Sequence, residues 1–412
     1  MISIRYPFIV KAFKNLSYGL IPINLPNEVH PVLIIKATKE VILTARNNNE
    51  FKIYLIKDFK DPNKYLGFVT AFFDDEDEPL VIRTPLFADD SFVTDIMAVL
   101  SHPEFDLYFF DEHHRELMGV KAVNKDYARI SQSIDSSKLH KFNQSEMLSF
   151  LERIHEGFGI RNEVDDENAF TIKLGERLYP DDFVHMDLTN ISHDIEEAKK
   201  SIIVTSLERD SDPGPMQERD IALLMGRVFE KQSIFLNPFR PDTEREITDI
   251  LIVGDKTMLF IQAKDSPNTD DMLRRSIERK KATIRSHIQK ATNQIRGAIN
   301  YVQENKGVMI KNRAGIKTIP LDGRQIVGLI IVKEMFDDDY LECSVPILKE
   351  IRTLELPIAL LDYSQLHVIS QNLKDETSFI NGLYTLVDVA LQHGRFPKSV
   401  WTGRPSDSID EK

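Results

Sequence analysis

The chain has 412 residues, 42% of them hydrophobic and 28% charged, a balance that excludes a disordered polymer and allows two or three domains with cores of their own. No apolar run approaches the roughly 20 residues of a membrane span, and the one cysteine, Cys343, excludes an internal disulfide framework and a Cys-rich zinc site. A formal net charge of −13 argues against a surface that binds nucleic acid throughout.

The opening MISIRYPFIVKAFKN lacks the apolar core and small-residue cleavage site of a secretory signal, so a cytoplasmic location without a membrane partner is expected. Residues 30–125 then give short β-type runs, HPVLIIKA, FKIYLIKDF, LGFVTAFF, PLVIRTPLF and FDLYFFDEHHRELMGVKAV, the last a hairpin with EHHR at its tip. Neighbouring residues of a strand point to opposite faces, so His113 and His114 do not form a metal pair by themselves. Helical spacing follows at 144–157 and 190–202. The acidic stretch LERDSDPGPMQ, 207–217, is the expected linker. It separates a strand-rich α+β domain, 1–206, for recognition or regulation, from a second domain, 218–400, and a tail, 401–412.

The second domain opens with an amphipathic helix, QERDIALLMGRVFEKQ, whose apolar stripe is Ile221, Leu224, Met225, Val228 and Phe229. A short strand near 232–237 leads to TDILIVGDKTMLFIQAKDS, 248–266, two apolar strands around a tight turn. A long helix of about 277–303 should bury Ile277, Ile284, Ile288, Ala291, Ile295, Ile299 and Val302. QIVGLIIV (325–332) and PIALL (357–361) are apolar without alternation, as buried parallel strands are. DYSQ (362–365) is spaced like a capping box opening another helix. The order α-β-β-β-α-β-α-β-α predicts an α/β fold, a mixed sheet flanked by helices.

Charge is unevenly spread. Residues 271–320 hold twelve Lys or Arg against three acids, +9, which leaves −13 − 9 = −22 elsewhere. Such asymmetry suits either a polyanion-binding face or a solvated helix.

The 248–266 hairpin raises a specific question, because its buried strands end in an acid, an amide and a lysine. With Asp255 and Lys256 as a two-residue turn, cross-strand partners sum to 511. Asp249 then faces Gln262, and Lys264, two residues on, projects from the same face. On the preceding helix, Glu218 lies near the edge of the apolar stripe and Glu230 on the solvent side, so Glu218 is the acid expected to face the sheet. The simplest structural explanation is a buried Asp249–Lys264 ion pair with no chemistry attached.

Helix Glu218, then Thr248-Asp249, then the Gln262-Ala263-Lys264 of IQAK resembles the PD-(D/E)XK nuclease superfamily, and more narrowly its Mrr-like branch with a Gln-x-Lys motif. The likeness covers about 215–370. Thr248 stands where the family usually has Pro, and neutral Gln262 where it usually has an acid. The resemblance implies a restriction-endonuclease-like fold and an Mg²⁺- or Mn²⁺-dependent endonuclease, with a restriction or anti-phage role. Catalytic residues would be Glu218, Asp249, Gln262 and Lys264. Metal ligands would be Asp249, Gln262, Glu218 and the backbone carbonyl of Ala263, a hard oxygen set. Arg274, Arg275, Arg279, Lys280, Lys281 and Arg285 would contact phosphates, with DNA placed ahead of RNA as the partner and a homo-oligomer admitted. The rival reading is a catalytically inactive nucleic-acid binder or scaffold on the same fold.

Overall fold

A computed structural model describes residues 1–25, 28–75, 78–134, 136–180, 185–187, 203–205, 214–264, 275–312, 315–336 and 338–397. Most of the expected linker, all of the 190–202 helix, Arg274 and the tail from 401 lie outside the described residues. The chain is mixed α/β, and it divides into two compact units between residues 183 and 184, ahead of the Pro-Gly-Pro stretch.

The first unit is built on strands β1 (Gly19–Ile23), β2 (Val32–Lys36), β3 (Glu50–Lys57), β4 (Tyr65–Phe72), β5 (Leu80–Pro85), β6 (Glu104–Phe110), β7 (Glu116–Asn124) and β8 (Phe170–Arg177). They form one sheet in the order β1-β2-β6-β7-β8-β3-β4-β5, in which only the β2–β6 pair is parallel. Helices α1 (Ile2–Arg5), α2 (Phe8–Phe13), α3 (Lys39–Asn48), α4 (Ser91–Leu100), α5 (Tyr127–Ser133), α6 (Met147–Gly159) and α7 (Glu163–Asn168) complete it. The expected hairpin is β6–β7. Its tip is tied by buried Asp111, which accepts from the backbone N–H groups of His113 and Arg115, both at 2.9 Å, and from Arg115 Nε at 2.6 Å.

The second unit begins with a small antiparallel ladder, β9 (His185–Asp187) with β10 (Ile203–Thr205). Helix α8 (Gly214–Met225) then leads to β11 (Ile234–Leu236), β12 (Ile250–Val253), β13 (Thr257–Lys264) and the long α9 (Ile277–Asn305). A separate hairpin, β14 (Gly307–Asn312) with β15 (Gly315–Pro320), precedes β16 (Gln325–Val332), α10 (Tyr340–Leu354), β17 (Ile358–Asp362), α11 (Tyr363–Asn372) and α12 (Glu376–His393). The main sheet runs β11-β12-β13-β16-β17, antiparallel as far as β13 and parallel beyond it.

Burial explains this order. Every residue of β13 except Lys264, and every residue of β16 after Gln325, is buried, so both faces of these strands need helices over them. Helix α9 lies across β13 and β16 through Ile284, Ile288, Ala291, Ile295, Ile299 and Val302, while Ile277 is only partly covered. It approaches closely at Gly328, where an added Cβ would stand 2.9 Å from Ile295 Cγ2 and 3.1 Å from Ile358 Cγ1. Asp362 and Gln365 form the expected capping box at the start of α11.

Three expectations are corrected. Helix α8 stops at Met225, because Gly226 opens a turn. Val228 and Phe229 therefore leave the helix, although Phe229 still packs on Phe379 with ring centroids 5.9 Å apart. The β14–β15 hairpin and α12 are additions to the expected element order. Lys306, left-handed at φ 52°, ends α9 and turns the chain directly into β14, whose Val308 and Ile310 are buried. No helix of the described residues is long and apolar enough to cross a membrane.

The crossing at Gly328 makes a stability prediction. Gly328→Ala forces a methyl group against two β-branched side chains and should cost about 1–3 kcal/mol in urea unfolding. An unchanged midpoint would show that α9 can lift off the sheet at no cost.

Candidate active site

The β12–β13 hairpin has the register expected of it. Leu251 pairs with Phe260, and Gly254 N–H donates to the Thr257 carbonyl at 2.9 Å around the Asp255-Lys256 turn. Glu376, at the start of α12, accepts from both turn N–H groups at 2.8 and 3.0 Å. At the other end of the hairpin, Asp249 Oδ2 accepts from the backbone N–H of Ala263 at 2.7 Å and from Lys264 Nζ at 3.2 Å. The same ammonium donates to Gln262 Oε1 at 3.1 Å. Asp249, Gln262 and Lys264 are thus brought together, with Asp249 only 6% and Gln262 only 2% exposed. Ala263 contributes its N–H to the carboxylate.

Thr248 is fully buried beside them. Its hydroxyl donates to the Ile261 carbonyl at 2.7 Å and accepts from Gln262 Nε2 at 3.3 Å.

Glu218 joins the group electrostatically. Burial on α8 pushes its carboxyl up to about 7. A hydrogen bond from the Asn237 side chain opposes that rise, while the charges of Asp249 and Glu246 add to it. Glu246, in the loop before β12, is pushed up to about 7 by burial of its carboxyl and by Asp249, with Lys264 opposing. As a whole residue Glu246 is open to solvent, so water moderates its shift more than that of half-buried Glu218. Burial also raises Asp249, against the pull of Lys264, the Ala263 N–H and Lys290. On α9, half-buried His287 is lowered by burial and by the charges of Lys264 and Lys290. Three carboxylates therefore crowd one lysine, with a neutral imidazole alongside.

Asn237 fastens this arrangement. Its backbone N–H donates to the Asp249 carbonyl at 2.9 Å while its side chain holds Glu218. It does so at φ 47°, left-handed and directly before Pro238, where the backbone is normally extended. Asn237 Oδ1 is buried and has no hydrogen-bond partner. Sequence reasoning missed Glu246, Asn237, His287 and Lys290. The only local signals are the Asn-Pro dipeptide, an acid three residues before Asp249, and two polar residues flanking Ile288 on the buried stripe of α9.

The phosphate-binding set fares differently. Arg275 and Arg279 are exposed, whereas Lys280 is 7% and Lys281 4% exposed. Lys281 Nζ is 2.7 Å from Asp338 Oδ1, and Arg285 forks onto Asp339, with Nε 2.7 Å from Oδ1 and 2.9 Å from Oδ2. Lys280, Lys281 and Arg285 are therefore not free phosphate contacts. Burial takes the first two out of solvent, and acids just ahead of α10, more than fifty residues along the chain, engage Lys281 and Arg285.

The donor set suits a hard divalent cation. Its oxygens are those of the Asp249 carboxylate and the Gln262 amide, held together by Lys264, with the Glu218 and Glu246 carboxylates near enough to interact with Asp249 by charge. No protein-family model, curated protein or solved structure matches the chain.

The raised pKa of Glu218 gives a prediction. Its carboxyl moves from 4.5 in the unfolded chain to about 7 in the folded one, so the folded state holds the proton more tightly. The resulting stability is complete below pH ~4.5 and is lost as pH rises through about 7. Without cation, Glu218→Gln should match wild type at pH 5 and exceed it at pH 8 by on the order of 1 kcal/mol in urea unfolding. A lower stability than wild type at pH 8 would refute the buried-charge account.

Proposed function

We propose that residues 214–397 form a metal-dependent endonuclease domain of restriction-endonuclease-like, PD-(D/E)XK type, hydrolysing phosphodiester bonds of nucleic acid, DNA ahead of RNA. The observation that carries the reading is the Lys264 ammonium, held between Asp249 Oδ2 and Gln262 Oε1 at the end of a buried hairpin. The sheet order β11-β12-β13-β16-β17, with an antiparallel hairpin joined to parallel strands, supports it.

A hard cation such as Mg²⁺ or Mn²⁺ would be held by Asp249, Gln262 and Glu218, with Glu246 at hand, and would supply Lewis acidity at the phosphate. The carbonyl of Ala263 is the remaining candidate ligand. The chain's own groups have separate tasks. Lys264, already between two acceptors, orients the attacking water and offsets charge that develops on the phosphate oxygens. Glu218, where it is not itself a ligand, is the acid placed to take the proton that water gives up as its oxygen bonds to phosphorus and the ester P–O bond breaks. The two strands and α9 close the site on the protein side, which strengthens each of these interactions.

The test is cleavage of supercoiled plasmid, single-stranded DNA and RNA with Mg²⁺, Mn²⁺ or EDTA. Metal-dependent cutting should fall by at least about 100-fold in both Asp249→Ala and Lys264→Ala, with folding checked by circular dichroism. Cutting by both variants equal to that of wild type would locate the activity elsewhere. Binding that survives EDTA, leaves substrate intact and ignores Lys264→Ala would favour the inactive binder.

The exposed pair at the start of α9 carries a separate prediction. Reversing Arg275 and Arg279 to Glu should weaken nucleic-acid binding and flatten its salt dependence by about one unit of log–log slope for each phosphate no longer neutralised. Unchanged salt dependence would remove this face from the interface.

A further inference from the structure

Two residues depart from the family pattern, Thr248 in place of Pro and Gln262 in place of an acid, and the structure joins them. Thr248 Oγ1 has one proton, and that proton is spent on the Ile261 carbonyl at 2.7 Å. Toward Gln262 it can therefore only accept, and the amide must turn its Nε2 to it, at 3.3 Å. Lys264, which can only donate, faces the other end of the same amide, Oε1, at 3.1 Å. Both neighbours impose one orientation, and it leaves the Gln262 oxygen beside Asp249, where Lys264 Nζ bridges the two.

We propose that Thr248 is a positioning residue that fixes which end of the Gln262 amide faces a divalent cation. An acid in this position would need no such guide, since both ends of a carboxylate are oxygen. An amide has one end that binds a cation and one that repels it, so free rotation would spoil the site in half of its orientations. Pro at 248 has no hydroxyl and could not supply the guide. The side chains that make the choice are buried, with Thr248 0% and Gln262 2% exposed, so water does not compete for either end.

The inference rests on the proposed metal-dependent site, and its test separates the two. Mn²⁺ binding is measured by isothermal titration calorimetry on the full chain, for wild type, Thr248→Ser, Thr248→Val and Thr248→Ala, with Asp249→Ala as control. Thermal melting without cation is measured beside it. Thr248→Ser keeps the hydroxyl and should bind within about twofold of wild type. Thr248→Val and Thr248→Ala lose it and should bind about tenfold more weakly, as expected for loss of a group that orients a ligand. In cleavage, kcat should fall in the same two variants with KM for nucleic acid unchanged. A purely structural hydroxyl would lower the melting temperature and leave Mn²⁺ affinity intact, so affinity equal to wild type in either Val or Ala overturns the proposal. Affinity in Thr248→Ser as weak as in Thr248→Val overturns it too. If wild type itself takes up no Mn²⁺, the site reading fails and the inference falls with it; if wild type binds and Asp249→Ala does not, the site stands whatever Thr248 does.

Discussion

Everything in the second unit hangs on the register of one hairpin. Side chains alternate along a strand, so a slip of a single residue between β12 and β13 would put Asp249 on the face opposite Gln262 and Lys264. The register is clamped at both ends. At the turn, Glu376 binds the N–H groups of Asp255 and Lys256, and Gly254 has no side chain because a Cβ would lie 2.5 Å from Glu376 Oε1. At the open end, Thr248 and Asp249 add hydrogen bonds to Ile261 and Ala263 beyond the point where the regular ladder begins. Helix α12, the last element of the unit, thus steadies a site built from its middle.

The site is costly to the fold that carries it. Three carboxylates interact by charge around Lys264, with burial pushing Glu218 up to about 7 and raising Glu246 to an extent that its exposure to water moderates. Asn237 is held left-handed before a proline to keep Glu218 and Asp249 in place. Strain and unfavourable charge persist only where the surrounding structure over-determines them, and here buried β-strands do so. A purely structural Asp249–Lys264 ion pair would explain neither the additional acids nor the unmet oxygen of Asn237.

Much of this is legible in the sequence wherever the signal is local. The hairpin register follows from turn length, the burial of β16 and β17 from their unbroken apolar runs, and α9 from a stripe repeated over about seven turns. Glu218 is found by its angle on α8, whereas Glu230 lies beyond the end of that helix, where the angle does not apply. What escapes is set by distant partners. Lys281 and Arg285 read as a basic face because Asp338 and Asp339 are remote in sequence, and nothing in ERKKATIR shows that two of its cations are paired. Glu246 and Asn237 lie in the segment 237–249 between β11 and β12, which has no periodicity, and their role depends on how Pro238 and Ile247 are drawn together by a 2.8 Å backbone hydrogen bond. The end of α8 is hidden because Val228 and Phe229 keep helical spacing after Gly226 has broken the helix.

These omissions bear on the meaning of Gln262. By the motif alone, an amide in place of an acid removes a negative charge and should weaken cation binding. The loop alters that reckoning. Glu246 brings a carboxylate to within electrostatic reach of both Asp249 and Glu218 from outside the motif, so the site keeps three acids despite the exchange. Glu246 stands on a loop residue open to solvent, although its carboxyl is itself raised by burial, whereas Gln262 is only 2% exposed. The amide left behind is neutral, can be buried cheaply, and needs only the Thr248 hydroxyl to aim its oxygen. In this chain the strand supplies an amide dipole whose oxygen faces Lys264, and the loop supplies a further carboxylate beside Asp249.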